Sequence, residues 1–285
     1  MRFAFKTSPQ NTSWRQMLAV WKAADDIDIF ESGWTFDHFY PIFSDPSGPC
    51  LEGWTTLTAL AQATTRLRLG TLVTGIHYRH PAVLANMAAA LDIISGGRLE
   101  LGIGAGWNEE ESGAYGIELG SIKERFDRFE EACQVLIGLL SQATTDCFDF
   151  QGRYYHLKAA RNEPKGPQRP HPPICIGGSG EKRTLRIVAR YAQHWNFAGG
   201  TPAEFARKRD VLAAHCADIG RDTGEIMLSA HLPLGDDRNY GQVIENAAAL
   251  GAEGLQLGIV YLAPPHDPAV LEPLAEAIRD SGLCG

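Results

Sequence analysis

No apolar run in this chain approaches the ~18 residues needed to span a bilayer, so a membrane-embedded protein is not expected. There is no Cys-x-x-Cys pair among Cys50, Cys133, Cys147, Cys175, Cys216 and Cys284, which predicts reduced, structural thiols in a cytoplasmic protein. A charged-then-apolar leader is also missing, because Met1 to Lys6 is too short and reads as a strand. No long block of like charge occurs: 26 basic against 34 acidic side chains leave a net charge of −8, which suggests neither a nucleic-acid nor an anionic-membrane surface. His-Glu-x-x-His and His-x-x-Glu-His are absent and the histidines are scattered, so no metal site is expected. There is no Gly-x-Ser-x-Gly elbow. Gly-x-Gly-x-x-Gly fails after Gly104 and Gly106 because position 109 is Glu.

What remains is a chain apolar enough for a large core, 44% hydrophobic over 285 residues, a length that suits one barrel of alternating strands and helices. Strand-like runs fall at 3–5, 27–34, 67–73, 99–103, 174–176, 194–197, 226–232 and 255–260. Helical patterns lie between them. Ser13 opens one with Trp14, Met17, Leu18 and Trp21 on one face. His80-Pro81 opens another. Ser121 with Glu124, and Thr201 with Pro202 and Glu204, are capping boxes. Phe148 to Leu157, around Gln151-Gly152-Arg153, reads as a hairpin. Strict alternation requires right-handed crossovers and a parallel sheet. The fold expected is a (β/α)8 TIM barrel forming a single domain over 1–285. Short insertions follow the second strand and separate the fourth helix from the fifth strand. A doubly wound open sheet is the alternative.

In a barrel, strand C-terminal ends share one mouth. Four irregular segments converge there. Leu99, Leu101 and Ile103 alternate as a strand that is stripped bare at Gly104-Ala105-Gly106, which lets another group approach the backbone. Gly177-Gly178-Ser179-Gly180 precedes a helix and offers N–H groups to an anion, as a plain turn with Ser179 as N-cap also would. Asp37-His38 follows the second strand; histidine there suits proton exchange, whereas a lone loop histidine is more commonly a surface group. Thr74-Gly75 ends the third strand. The run Glu109-Glu110-Glu111 reads as a solvated face or an acidic first helical turn.

On these residues the chain resembles the bacterial luciferase-like flavin or deazaflavin oxidoreductases, in particular the actinobacterial branch that uses coenzyme F420. The resemblance is carried by Phe36-Asp37-His38-Phe39, Leu69 to Gly75, Tyr78-Arg79-His80-Pro81, Leu91 to Arg98, Gly102 to Trp107 and His171 to Gly180. It implies an F420-dependent oxidoreductase passing hydride between reduced deazaflavin and a small organic substrate. An FMNH2-dependent monooxygenase is the alternative, and a non-catalytic flavin- or deazaflavin-binding protein the second.

It further implies a cofactor ring near His38, Thr71, Leu72, Gly104, Ala105 and Gly106. A non-proline cis bond is expected at Thr71-Leu72. Asn108, Gly177, Gly178, Ser179 and Gly180 would grip the ribityl chain and phosphate. His38 would exchange a proton, assisted by Asp37 or solvent, and Trp34, Trp54 and Trp107 would wall the substrate pocket. Relatives that oxidise alcohols or sugar phosphates carry glutamate where this chain has Trp107, so the expected site lacks that carboxylate, with Glu109 as a replacement only by reaching back. The family often forms homodimers; no decisive apolar patch marks one in this sequence.

Overall fold

The computed structural model describes residues 1–144 and 146–284. In chain order the elements are β1 (Arg2–Thr7), α1 (Trp14–Asp25), β2 (Phe30–Thr35), α2 (Gly53–Ala63), β3 (Arg68–Thr71), β4 (Thr74–Gly75), α3 (Pro81–Ile94), β5 (Leu99–Gly104), α4 (Glu109–Ala114) and α5 (Ile122–Leu140). Next come β6 (Phe148–Gln151), β7 (His156–Ala160), β8 (Ile174–Gly177), α6 (Thr184–Tyr191), β9 (His194–Phe197), α7 (Pro202–Asp218), β10 (Met227–Leu234), α8 (Tyr240–Ala252), β11 (Leu257–Leu262) and α9 (Leu271–Asp280).

All pairings in the main sheet are parallel. Its order, β1-β2-β3-β5-β8-β9-β10-β11 and back to β1, closes a (β/α)8 barrel, with β4 carrying on against β5 where β3 stops. The hairpin expected around Gln151-Gly152-Arg153 is the antiparallel pair β6–β7. The capping boxes at Ser13, Ser121 and Thr201 all form, and Pro81 and Pro202 occupy first turns.

Alternation along β1 sorts its side chains. Phe3 and Phe5 face the helical shell, where Phe5 meets the rings of Trp21 and Phe30 edge-on at 5.3 and 5.8 Å. Ala4 faces inward and joins Trp34, Leu72, Cys175, Leu257 and Ile259 in a buried layer across the barrel. Gly102 is required by close approach, since a Cβ there would stand 1.7 Å from the Thr71 carbonyl oxygen.

Arg98, just before β5, donates to the carbonyls of Ala61, Thr64, Leu67 and Ser95 and so ties together the C-terminal ends of α2 and α3.

Below the apolar layer a polar group is buried with its partners. Glu100 accepts from Arg68 at 2.8 Å and bonds His194 Nδ1 at 3.0 Å, and His194 Nε2 meets Ser229 Oγ at 2.6 Å. Burial opposes ionisation of Glu100, but His194 and Arg68 outweigh it and hold the carboxyl down at about 2. A carboxyl depressed on folding adds stability above its unfolded pKa and loses it as pH falls through the folded one. The contribution is therefore complete above 4.5 and disappears toward about 2. Glu100→Gln is expected to flatten the decline in melting temperature between about pH 5 and pH 3. Parallel melting curves for both proteins over that range would remove Glu100 from the acid sensitivity.

Candidate active site

A cavity of about 990 Å³ opens at the C-terminal ends of the strands. Its lining includes His38 after β2, Leu72 and Val73 after β3, Trp107 after β5, and Gly177 and Gly178 at the end of β8. The opposite arc contributes Lys6 of β1, His231 of β10 and Tyr261 of β11. The convergence expected of the four irregular segments is thus observed, although their members divide between the cavity and its supports.

His38 is 8% exposed and lies edge-on to Phe36 at 5.0 Å and to Trp107 at 5.6 Å. Its partner is Glu111 rather than Asp37. Asn108 caps α4, its side chain accepting from the Glu111 N–H at 3.1 Å, and this places Glu111 on the inward side of the first turn. The Glu111 carboxylate has no exposed surface. Oε2 lies 2.7 Å from His38 Nδ1 and also accepts from the Tyr78 hydroxyl, while Oε1 accepts from the Phe39 N–H at 2.6 Å.

Burial alone would raise the Glu111 pKa, but these hydrogen bonds from His38, Tyr78 and Phe39 prevail and hold it below the usual carboxylate range. Burial and the adjacent Glu111 push the Tyr78 phenol far up, so it stays a neutral donor. The arrangement fixes the imidazole from one side: an ionised Glu111 accepts the Nδ1–H hydrogen bond and leaves Nε2 for exchange.

Asp37 faces the other way. It is 1% exposed and takes both Nη atoms of Arg79, whose Nη2 also reaches Glu52 Oε1 at 2.7 Å. Glu52 in turn caps α2 through the N–H groups of Trp54 and Thr55. Adjacent residues on extended backbone point apart, so Asp37 anchors the loop while its neighbour faces the cavity.

The other expected residues fall as follows. Trp107 lines the cavity, half-exposed, and stacks on the exposed Phe43 with ring centroids 5.5 Å apart. Trp34 and Trp54 do not wall the cavity. Trp34 is buried inside the barrel with Nε1 on Ser32 Oγ at 3.0 Å, and Trp54 is buried with Nε1 on Thr74 Oγ1 at 2.9 Å. Thr71 is also buried, donating to the Gly102 carbonyl at 3.0 Å. Ala105 packs against the shell core, and Asn108 is occupied by its cap. Ser179 and Gly180 continue beyond the cavity lining toward α6.

The non-proline cis bond is Leu72–Val73, one position later than expected. Leu72 N–H still donates to the Thr35 carbonyl at 2.7 Å, so the ladder with β2 extends through that nitrogen and the irregularity starts after it. Glu109, considered as a carboxylate reaching back, instead pairs with Arg125 at 3.1 Å on the surface. The acidic run does form the first turn of α4, as one of its two readings expected, but the solvated-face reading fails for Glu111, which is buried against His38.

Two features suit a flat, phosphate-bearing cofactor. Val73 stands over the bare backbones of Gly104 and Gly177, where a Cβ would lie 2.8 and 3.0 Å from its methyl groups, and makes a low platform beside the cavity. The start of α6 has no side-chain cap, although the Leu185 N–H is taken by the Gly180 carbonyl at 3.0 Å, and an anion there would meet the positive end of the helix. Among the described residues no group of three or more His, Cys, Asp or Glu is placed to hold a metal ion. None of their helices is long and apolar enough to cross a membrane.

Residues 1–271 match the family model described as luciferase-like monooxygenase. The chain is 30% identical over 194 residues to the F420-dependent glucose-6-phosphate dehydrogenase of Amycolatopsis mediterranei, covering 67% of this chain and 54% of that protein. It is 31% identical over 194 residues to the FMNH2-dependent dimethylsulfone monooxygenase of Pseudomonas putida, covering 61% and 52%. The matches thus span about half the length of these relatives. Among solved structures, an F420-dependent secondary alcohol dehydrogenase in complex with an F420–acetone adduct superposes with a TM-score of 0.85 over 98% of both chains at 18% identity, a likeness of fold.

Proposed function

The chain belongs to the luciferase-like monooxygenase family of oxidoreductases, and from that premise we propose that it is an F420-dependent oxidoreductase acting on a small organic substrate. The observation that carries the proposal is the His38–Glu111–Tyr78 group at the edge of the cavity, a proton-handling device beside a platform suited to a flat ring. When bound, the deazaflavin would supply or accept the hydride.

The chain's own residues do the rest. The α6 start and Gly177-Gly178 would hold the phosphate, and Val73 with Gly104 and Gly177 would back the ring. Trp107 shields one side of His38 from solvent. His38 Nε2 gives or takes the proton that accompanies hydride transfer, and Glu111 holds the ring orientation and stabilises it when charged. Asp37 acts only as an anchor.

The second reading is an FMNH2-dependent monooxygenase, favoured by the likeness to the dimethylsulfone enzyme. The cofactor separates the two, because a deazaflavin does not readily activate oxygen. Titrating the purified protein with F420 and with FMN, read by cofactor fluorescence, is expected to show saturable F420 binding. Tight FMN binding with no F420 binding would overturn the first reading. Bound cofactor that no acceptor in a broad panel can reoxidise would favour a storage protein instead.

A further inference from the structure

Across the barrel from His38, a second polar cluster lines the cavity and has no part in the proton exchange. Lys6 is the last but one residue of β1, in register with Tyr261 of β11. It follows Ala4 on the inward side of the strand, so its amine enters the barrel rather than the helical shell. Lys6 is only 9% exposed, and its Nζ lies 5.6 Å from the centroid of the Tyr261 ring. The Tyr261 hydroxyl is tied to Ser8 Oγ at 3.0 Å, which fixes that ring in place.

On the far side of Tyr261, His231 of β10 turns a wholly buried Nε2 toward no hydrogen-bond partner. Burial and the Lys6 charge both oppose protonation of this imidazole. Lys6 is itself pushed down to about 8, and burial is the whole cause, with no carboxylate offsetting it. Asp236 lines the same cavity but is exposed on the loop after β10.

One unpaired ammonium, that of Lys6, and one neutral imidazole with an unpartnered Nε2, that of His231, therefore share this arc of the cavity with no buried carboxylate beside them. As packing this arrangement is unfavourable: an unpaired buried cation is destabilising, and an apolar side chain of the same length would fit at position 6. Groups kept against stability belong to binding sites more often than to cores. The missing charge is negative; placed beside Lys6, an anion would also favour proton uptake at the unpartnered His231 Nε2.

We propose that Lys6 and His231 form an anion subsite that holds a carboxylate of the substrate, across the cavity from His38. In the reading proposed above, a cofactor phosphate would be held elsewhere, at the start of α6, which has no side-chain cap. The ring platform is on the arc of β3, β5 and β8, whereas this pair is on the arc of β1, β11 and β10. The carboxylate's bearer is the substrate insofar as the oxidoreductase reading holds. Anchored there, the substrate would lie between the anion subsite and His38, with its reducible carbon over the ring platform.

Calorimetric titration tests this with two matched pairs, cinnamate with cinnamamide and crotonate with crotonamide, with and without bound cofactor. The native protein is expected to bind each acid at least about tenfold more tightly than its amide, as a charge-assisted hydrogen bond provides. Lys6→Met should abolish the preference, keep cofactor affinity and show an unchanged or raised melting temperature, while Lys6→Arg should retain part of the preference.

Equal affinities within both pairs, or no measurable binding of either acid, would overturn the proposal. So would a Lys6→Met protein that keeps the preference, or one that loses cofactor binding and so assigns Lys6 to the cofactor. Lys6-dependent binding of inorganic phosphate without binding of either acid would likewise reject a carboxylate. Failure of the oxidoreductase reading would show separately, as a native protein that binds no cofactor, while the acid–amide comparison remains readable by heat.

Discussion

Replacing His38 by alanine is expected to slow turnover by roughly 10²- to 10⁴-fold, the range for loss of a positioned acid–base group, while cofactor affinity changes by less than about fivefold. The separation follows from geometry. His38 meets the cavity through one edge of its ring, whereas the platform and the helix start proposed for the cofactor follow β3, β5 and β8. Glu111→Gln should lose much of the same factor, because a neutral amide neither holds the Nδ1 proton in place nor balances a charged imidazolium. Stopped-flow oxidation of reduced cofactor checks both variants at saturating acceptor. Native rates in both would remove this pair from the chemistry.

Asp37→Ala is expected to act on stability instead, lowering it by about 3 kcal/mol, as does removal of one partner from a buried ion pair. Burial pushes the Asp37 pKa up and Arg79 only partly counters this, so the pair as a whole adds little. Losing the aspartate alone strands the Arg79 guanidinium, 16% exposed, with the half-exposed Glu52 as its remaining carboxylate. The double variant Asp37→Ala/Arg79→Met should therefore recover a large part of the loss. Urea denaturation of the three proteins decides it: a single variant within about 1 kcal/mol of the native protein, or a double variant worse than the single, would contradict a buried pair of this kind.

The contrast between these neighbours shows what was legible in the sequence. Strand and helix alternation was readable because period and caps are local: Ser121 and Glu124 are three residues apart and meet as expected. His38 was readable as a mouth residue from its place after a strand. Its partner was not, because Glu111 is 73 positions away and only barrel closure joins them. Three consecutive glutamates look equivalent in a sequence, but the Asn108 cap rotates the third inward and leaves Glu109 and Glu110 exposed. Trp34 and Trp54 looked suited to a pocket, yet large aromatic side chains serve the core equally well, and their Nε1 groups found internal acceptors. Lys6 lies in a short strand whose sequence carries no motif. Alternation with Ala4 would have marked it as inward-facing, and that was the signal available.

The layer of Ala4, Trp34, Leu72, Cys175, Leu257 and Ile259 also governs traffic. It closes the barrel beneath the cavity, so there is no passage through to the other end. Two ligands that share a blind well must enter and leave by the same rim. Whichever lies deeper arrives first and departs last. Steady-state kinetics should then report a compulsory order of addition, with the shallower ligand blocking exit of the deeper one, an order imposed by a plug of six side chains of which only Leu72 reaches the cavity lining.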